Sequence, residues 1–237
     1  MDPSSLHYFP LALPFLLVLM GLFAVTVAVV TVRLLSFASV SMGVGPRTVL
    51  TVLFFSLLGS YVNIPIAYLP EREVSSVAGV TFFGVRYAIP IMHEWPATLL
   101  AINVGGAIIP ILLSLYLIVK NRLYGLSLAG IAVVATVCHL LAYPVAGLGI
   151  AIPIFVPPLA TVLVALMLSR RYAAPLAYIS GSLGTLIGAD LLNLDKVQGL
   201  GAPIVSIGGA GTFDGIFVTG VLSVLYASVV TRWEGPR

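Results

Sequence analysis

Asp190 and Asp214 are carboxylates in stretches apolar enough to lie in a lipid bilayer. An ionisable residue at that depth is costly and normally faces a bundle interior or a water-filled cavity. Two such groups side by side can do acid–base chemistry. Both cannot ionise easily, so one pKa rises and the pair shares a proton. One carboxylate then activates a water as base, and the other protonates a carbonyl or leaving amine. The same acids can instead bind a proton or a small cation. Asn63, Asn103, His139 and Asn193 are the other polar residues set in apolar runs. Gly208, Gly209 and Gly211, in "SIGGAGTFDGIF" (Ser206–Phe217), add backbone that leaves helical geometry easily and can turn carbonyls toward a ligand.

The elements that position these residues follow from composition. The chain has 237 residues, 60% hydrophobic and 8% charged, with mean hydropathy +1.15. A soluble domain carries roughly 25% charged residues. The sequence therefore reads as one integral membrane domain over 1–237, multi-pass in the cell membrane. Its apolar runs are helix-length and do not alternate, which points to an all-α polytopic bundle and not a barrel. About 20 residues cross the hydrocarbon. Seven spans are expected: Phe9–Leu35, Thr48–Leu69, Ala97–Val119, Tyr124–Tyr143, Leu148–Leu168, Tyr172–Leu194 and Thr212–Val230. The first is long and lacks a basic leading segment, so it reads as a true span and not a cleaved signal.

Charge orients the bundle. Arg33, Arg47, Lys120, Arg122, Arg170, Arg171, Arg232 and Arg237 fall on one side, leaving Arg72, Arg86 and Lys196 of the eleven basic residues. The positive-inside rule places that side in the cytoplasm, with the N-terminus outside and the C-terminus inside. An odd number of crossings agrees. In this frame Asn63, Asn103, His139, Asp190 and Asn193 all fall in the outer half of the membrane. Asp214 joins them if "GLGAPIVSIGGAG" (Gly199–Gly211) is extended or re-entrant and the last helix starts at Thr212 as N-cap. The plain alternative makes Asp214 a cap of its own helix and Asp190 a snorkelling surface acid. His139 alone is as readily a hydrogen-bonded core residue, and the asparagines as readily bridge helices.

Three further features bear on architecture. Residues 70–96 form a long external segment, read as a short hairpin, a re-entrant piece, a lid or a solvated connector. The prolines of "IPIFVPP" (Ile152–Pro158) kink or break the outer part of the fifth span. "GSYVN" (Gly59–Asn63) and "INVGGA" (Ile102–Ala107) recur in order as "GADLLN" (Gly188–Asn193) and "VSIGGA" (Val205–Ala210), suggesting a parallel repeat of the helix pairs 48–119 and 172–230.

"IGADLLNL" (Ile187–Leu194), "SIGGAGTFDGIF" and "GSYVNIPI" (Gly59–Ile66) resemble an uncharacterised family of prokaryotic membrane proteins, the domain of unknown function 1614. That resemblance covers most of the chain and implies a multi-spanning membrane protein with no established activity. A weaker likeness is to intramembrane aspartyl proteases of the presenilin and signal peptide peptidase type. These also carry aspartates on consecutive spans, the second after glycines. "GAGTFD" and "AD" depart from that family's motifs, and its proline-alanine-leucine motif is missing.

Several functions remain open on these residues. A paired-aspartate intramembrane protease would use Asp190 and Asp214 catalytically on a transmembrane peptide. A proton- or cation-coupled transporter would use the same acids with Asn63, Asn103, His139, Asn193, Gly208, Gly209 and Gly211. A metal-dependent membrane hydrolase would gather His139, Asp190 and Asp214 with His93 or Glu94, although no metal-ligand spacing supports it. A scaffold would use the polar residues only to lock helices. No cofactor motif is present. The scattered basic residues point away from nucleic acid, and the one cysteine, Cys138, rules out an internal disulfide. Membrane lipid is the expected partner, beside a transmembrane peptide or small ion as substrate. Nothing in the sequence sets an oligomeric state.

Overall fold

The computed structural model describes residues 13–69, 72–82, 85–95, 98–145, 149–197, 204–209 and 215–233. Helices dominate. The first, α1 (Leu13–Ser41), meets no breaker until Gly43, whose positive φ of 69° turns the chain into α2 (Pro46–Gly59). Pro46 suits the first turn of α2, where its missing N–H costs nothing.

The chain then departs from an all-α bundle. After Gly59 it runs as strand β1 (Asn63–Leu69), where continuous helix to Leu69 is expected from hydropathy. Pro65 removes a backbone donor, and Asn63, Pro65 and Ala67 alternate with Ile64, Ile66 and Tyr68 in the two-residue period of a strand. Strands β2 (Arg72–Phe82) and β3 (Val85–Trp95) pair antiparallel along their full length, so the described part of the 70–96 segment has the two-stranded form of the hairpin reading. Strand β4 (Thr98–Asn103) occupies the start of the expected third span. It leads through a π-helical turn (Val104–Ile108) into α3 (Ile109–Asn121), which ends at Arg122 in the left-handed conformation.

Helix α4 (Tyr124–Leu141) is followed by the short strands β5 (Tyr143–Val145) and β6 (Gly149–Ala151), which pair antiparallel. Helix α5 (Val156–Leu168) starts only where Pro157 fits its first turn, so the "IPIFVPP" prolines delay the helix. Helix α6 (Ala173–Thr185) passes into a second π turn (Leu186–Asp190) and a 3-10 segment (Leu191–Lys196). Strand β7 (Ile204–Ile207) precedes α7 (Gly215–Trp233). The extended reading of the glycine-rich stretch therefore holds over Ile204–Ile207, while Thr212, the expected N-cap, lies outside the described residues.

Among the described residues, three helical stretches are long and apolar enough to cross a membrane: Val104–Asn121, Tyr124–Leu141 and Ala173–Lys196. Helix α6 is central, packing against α3, α4, α5 and α7. Close approach there depends on small residues. A Cβ on Gly184 would lie 2.7 Å from the Val134 side chain, and one on Gly188 would lie 2.2 Å from the Ala135 carbonyl oxygen. Between lipid-immersed helices, contacts of this kind supply the attraction that hydrophobic burial supplies in water.

Strands β1, β4 and β7 lie where α2 and α6 end and α3 and α7 begin. Three of them form one sheet, ordered β1-β4-β7, with β1 antiparallel and β7 parallel to β4. This sheet and the two π turns position the polar residues.

A candidate polar site where helices give way to strands

Asn103 ends β4 with extended backbone, and its Oδ1 accepts from the Gly106 N–H at 2.7 Å. It is thus the N-cap of the π turn, satisfying a donor that would otherwise be orphaned at the helix start. Its Nδ2 donates to the Ser60 carbonyl at 2.7 Å and to Asn63 Oδ1 at 3.0 Å. Asn103 is fully buried, so each of these bonds carries weight: an unmet buried amide costs about 1–3 kcal/mol.

Asn63 faces Asn103 directly in the β1–β4 register. Its Oδ1 takes a second bond, 2.6 Å, from Ser206 Oγ on β7. One amide oxygen therefore ties all three strands together. Ser206 did not emerge from the sequence as a site residue. The signal for it was present, since Ser206 stands in "VSIGGA" where Asn103 stands in "INVGGA".

Packing around the first glycine pair leaves no slack. A Cβ on Gly105 would lie 1.9 Å from the Ser56 carbonyl oxygen and 2.3 Å from the Ser60 nitrogen. Ser56 Oγ in turn donates to the Gly105 carbonyl at 2.5 Å. The end of α2 and the π turn thus meet backbone to backbone, which only glycine allows.

The second glycine pair has a different holder. Gly208 and Gly209 have φ of +91° and +74°. The Gly208 N–H donates to Asp190 Oδ2 at 2.7 Å, and Gly209 N–H to the Ser206 carbonyl at 3.1 Å. A Cβ on Gly208 would lie 2.7 Å from Ala107 Cβ and from the Ala107 nitrogen, so the two glycine turns touch. Ala107, Leu186 and Ile207 form a small apolar cluster beneath them, joining both π turns to β7. Widened π turns recur at functional sites, and Asp190 closes one of them.

The remaining candidates separate. Asn193 is buried, and its Nδ2 donates to the Gly188 and Ala189 carbonyls at 2.8 and 2.9 Å, stitching the π turn to the 3-10 segment. Its Oδ1 accepts from Lys196 Nζ at 2.7 Å, which leaves that oxygen facing an ammonium. His139 is half-buried on α4, and its Nδ1 has no hydrogen-bond partner. Asp214 and Gly211 lie outside the described residues. Among the described residues no three His, Cys, Asp or Glu side chains converge to hold a metal ion.

The structure therefore joins Asn63 and Asn103 into one network with Ser206, and joins Asp190 to the adjacent glycine turn. Chemically, it offers a carboxylate on the Gly208 N–H and, two residues away in the chain, the Ser206 hydroxyl on the exposed Asn63 amide. No curated protein and no solved structure matches the chain. The family model described as "Protein of unknown function (DUF1614)" matches residues 57–226, a stretch holding Asn63, Asn103, Asp190, Asn193 and Ser206, and the chain belongs to that family.

Proposed function

We propose that the chain is a multi-pass membrane protein that binds a proton or small cation at Asp190 and couples its movement to transport. The observation behind this reading is the state of the Asp190 carboxylate. It holds one backbone N–H through Oδ2, and among the described residues no basic group partners it. The lysine nearest in sequence, Lys196, gives its ammonium to Asn193. A carboxylate in a membrane bundle without a cationic side chain is costly unless a proton or a cation neutralises it.

The surrounding backbone supports the same reading. Irregular backbone at membrane depth is tolerated where it is buried in protein or lines a cavity, and transporters build ion sites at such helix breaks. Asn103 and Ser206, matched in the two halves of the proposed repeat, both donate to Asn63 Oδ1. A site at a repeat interface has this form. On the seven-span topology with the N-terminus outside, this layer lies in the outer half of the membrane.

Ion flux into liposomes carrying the purified protein tests the proposal. Asp190→Asn keeps an acceptor for Gly208 N–H, so it should leave the melting temperature nearly unchanged and abolish flux. Undiminished flux would sink the proposal. One observation favours the paired-aspartate protease as a second reading: Asp190 holds Gly208, six residues before Asp214. Cleavage of a transmembrane reporter, lost in both Asp190→Asn and Asp214→Asn, would establish that reading instead.

A further inference from the structure

A cavity lies among α1, α2, α3, α6 and α7, walled by Ala38, Met42, Val49, Leu113, Val224 and other apolar side chains. The three hydroxyls in its wall are matched within the protein. Ser56 Oγ donates to the Gly105 carbonyl, and Tyr178 and Ser182 are hydrogen-bonded to each other one helical turn apart. Nothing in the wall asks for a polar ligand. The cavity measures about 520 Å³ with its mouth, and ligand sites are on the order of 300–1,000 Å³. It runs along α2 from Val49 to Ser56, roughly 10 Å at 1.5 Å per residue. Helix α1 lines it only through Ala38 and Met42. From Leu17 to Thr26 every residue of α1 is exposed, and so are Val29 and Val32, so nearly three turns of this apolar helix bury no face. Helices joined in a membrane need close packing, and this part of α1 has none. Hydrocarbon chains of the bilayer therefore reach the bundle beyond Ala38.

We infer that this cavity takes one acyl chain of an anionic phospholipid, whose phosphate lies at the α1–α2 turn against Lys120 and Arg47. The inference stands apart from the transport reading. The chain follows from the wall. Apolar cavities of this kind exclude water and bind apolar groups, and a single alkyl chain is the apolar body that a bilayer supplies.

The headgroup follows from charge at one end. Lys120 Nζ donates to the carbonyl of Gly43, the neighbour of Met42 in the cavity wall, and lies 5.4 Å from the centroid of the Tyr116 ring. An ammonium has three donors, so this one is fixed at the turn with donors to spare. Arg47 is exposed in the first turn of α2, two residues before Val49. On the topology that the basic residues set, Glu234 is the one acidic residue on this side. The protein thus brings these cations to the end of an apolar cavity and places its acids elsewhere. Cations just inside a membrane attract anionic headgroups of the cytoplasmic leaflet. A phosphate at Lys120 leaves its acyl chain beside Met42 and Val49, where the cavity begins.

The test uses the full chain in a neutral detergent. Its melting is followed as phosphatidylglycerol or phosphatidylcholine is added, and native mass spectrometry counts the lipids retained. Phosphatidylglycerol should raise the melting temperature and stay bound as a single copy, while phosphatidylcholine does so only at higher concentration. Glycerophosphoglycerol, the same headgroup without chains, should have no effect. Lys120→Gln should weaken phosphatidylglycerol binding roughly fivefold, the worth of one lysine at an anionic surface, and leave phosphatidylcholine binding as it was. Val224→Phe fills the cavity and should abolish retention of both lipids. Retention of phosphatidylglycerol by a monodisperse Val224→Phe protein places the lipid elsewhere and overturns the inference. So does stabilisation by glycerophosphoglycerol, which needs no variant to fold. Equal affinity for the two lipids, unchanged in Lys120→Gln, overturns the anionic headgroup. No lipid retained by the unmodified protein overturns the whole.

Discussion

The two glycine-pair turns, Gly105–Gly106 and Gly208–Gly209, solve one structural problem with different chemistry. Each carries the chain from a strand toward a helix, and each needs an acceptor for a backbone N–H. At the first turn a neutral amide supplies it from three residues away, since Asn103 Oδ1 accepts from Gly106 N–H. At the second, the local bond runs between backbone groups, Gly209 to Ser206, and a carboxylate eighteen residues distant takes the Gly208 N–H. A neutral cap would have served the second turn as well. On the proposed transport reading, the use of an ionisable group there, at the dielectric cost it carries, makes the second turn the working one and the first its structural counterpart.

That comparison can be broken most forcefully at Gly105. Gly105→Ala drives a methyl group into the backbone of α2 from both Ser56 and Ser60. Backbone cannot yield as a flexible side chain can, so the cost should reach or exceed about 3 kcal/mol. The expected readout is loss of a monodisperse peak in detergent. Gly125→Ala, where a Cβ meets nothing within 4 Å, should elute as the unmodified protein does.

Asn103 comes next. Asn103→Ala leaves a buried N–H and a carbonyl unmet and should cost about 1–3 kcal/mol in thermal or denaturant unfolding. Asn103→Asp gives the first turn the chemistry of the second. It keeps the acceptor for Gly106 but sets a carboxylate against the Ser60 carbonyl and Asn63 Oδ1, so it should melt below the unmodified protein as well. If Asn103→Asp were neutral, the two turns would be interchangeable and the special role of Asp190 would weaken.

The smallest effect is expected at Ser206. Its bond to Asn63 is exposed, so Ser206→Ala should lower stability by about 0.5 kcal/mol or slightly more. A loss as large as that of Asn103→Ala would make Ser206 an equal partner in the network and favour a more symmetric site.

Much of the helical framework was legible in advance because hydropathy is a local property. Each of α1 to α7 overlaps a run whose composition alone sets it apart. The strands were harder to read. Residues 60–69 continue the apolar run of α2 and read as its last turns, yet Pro65 and the alternation of Ile64, Ile66 and Tyr68 carried the contrary signal. At the site, Asn63 and Asn103 stood out as amides in apolar surroundings, and they do meet. Asn193 stood out for the same reason, but it binds carbonyls of its own π turn and the Lys196 ammonium. Ser206 and Ser56 were missed because a serine in an apolar run is too common to carry information alone.

Residue type by itself determined that this chain builds apolar helices and that its few polar residues cluster near the ends of particular runs. A chain with 8% charge cannot cover itself for water, and that constraint acts residue by residue. Only the tertiary structure decided that β7 lies parallel to β4, that the two glycine turns touch, and that Asp190 holds Gly208. These facts depend on which backbone approaches which. Such approaches are set by missing Cβ atoms and single hydrogen bonds between segments more than a hundred residues apart in the case of β4 and β7.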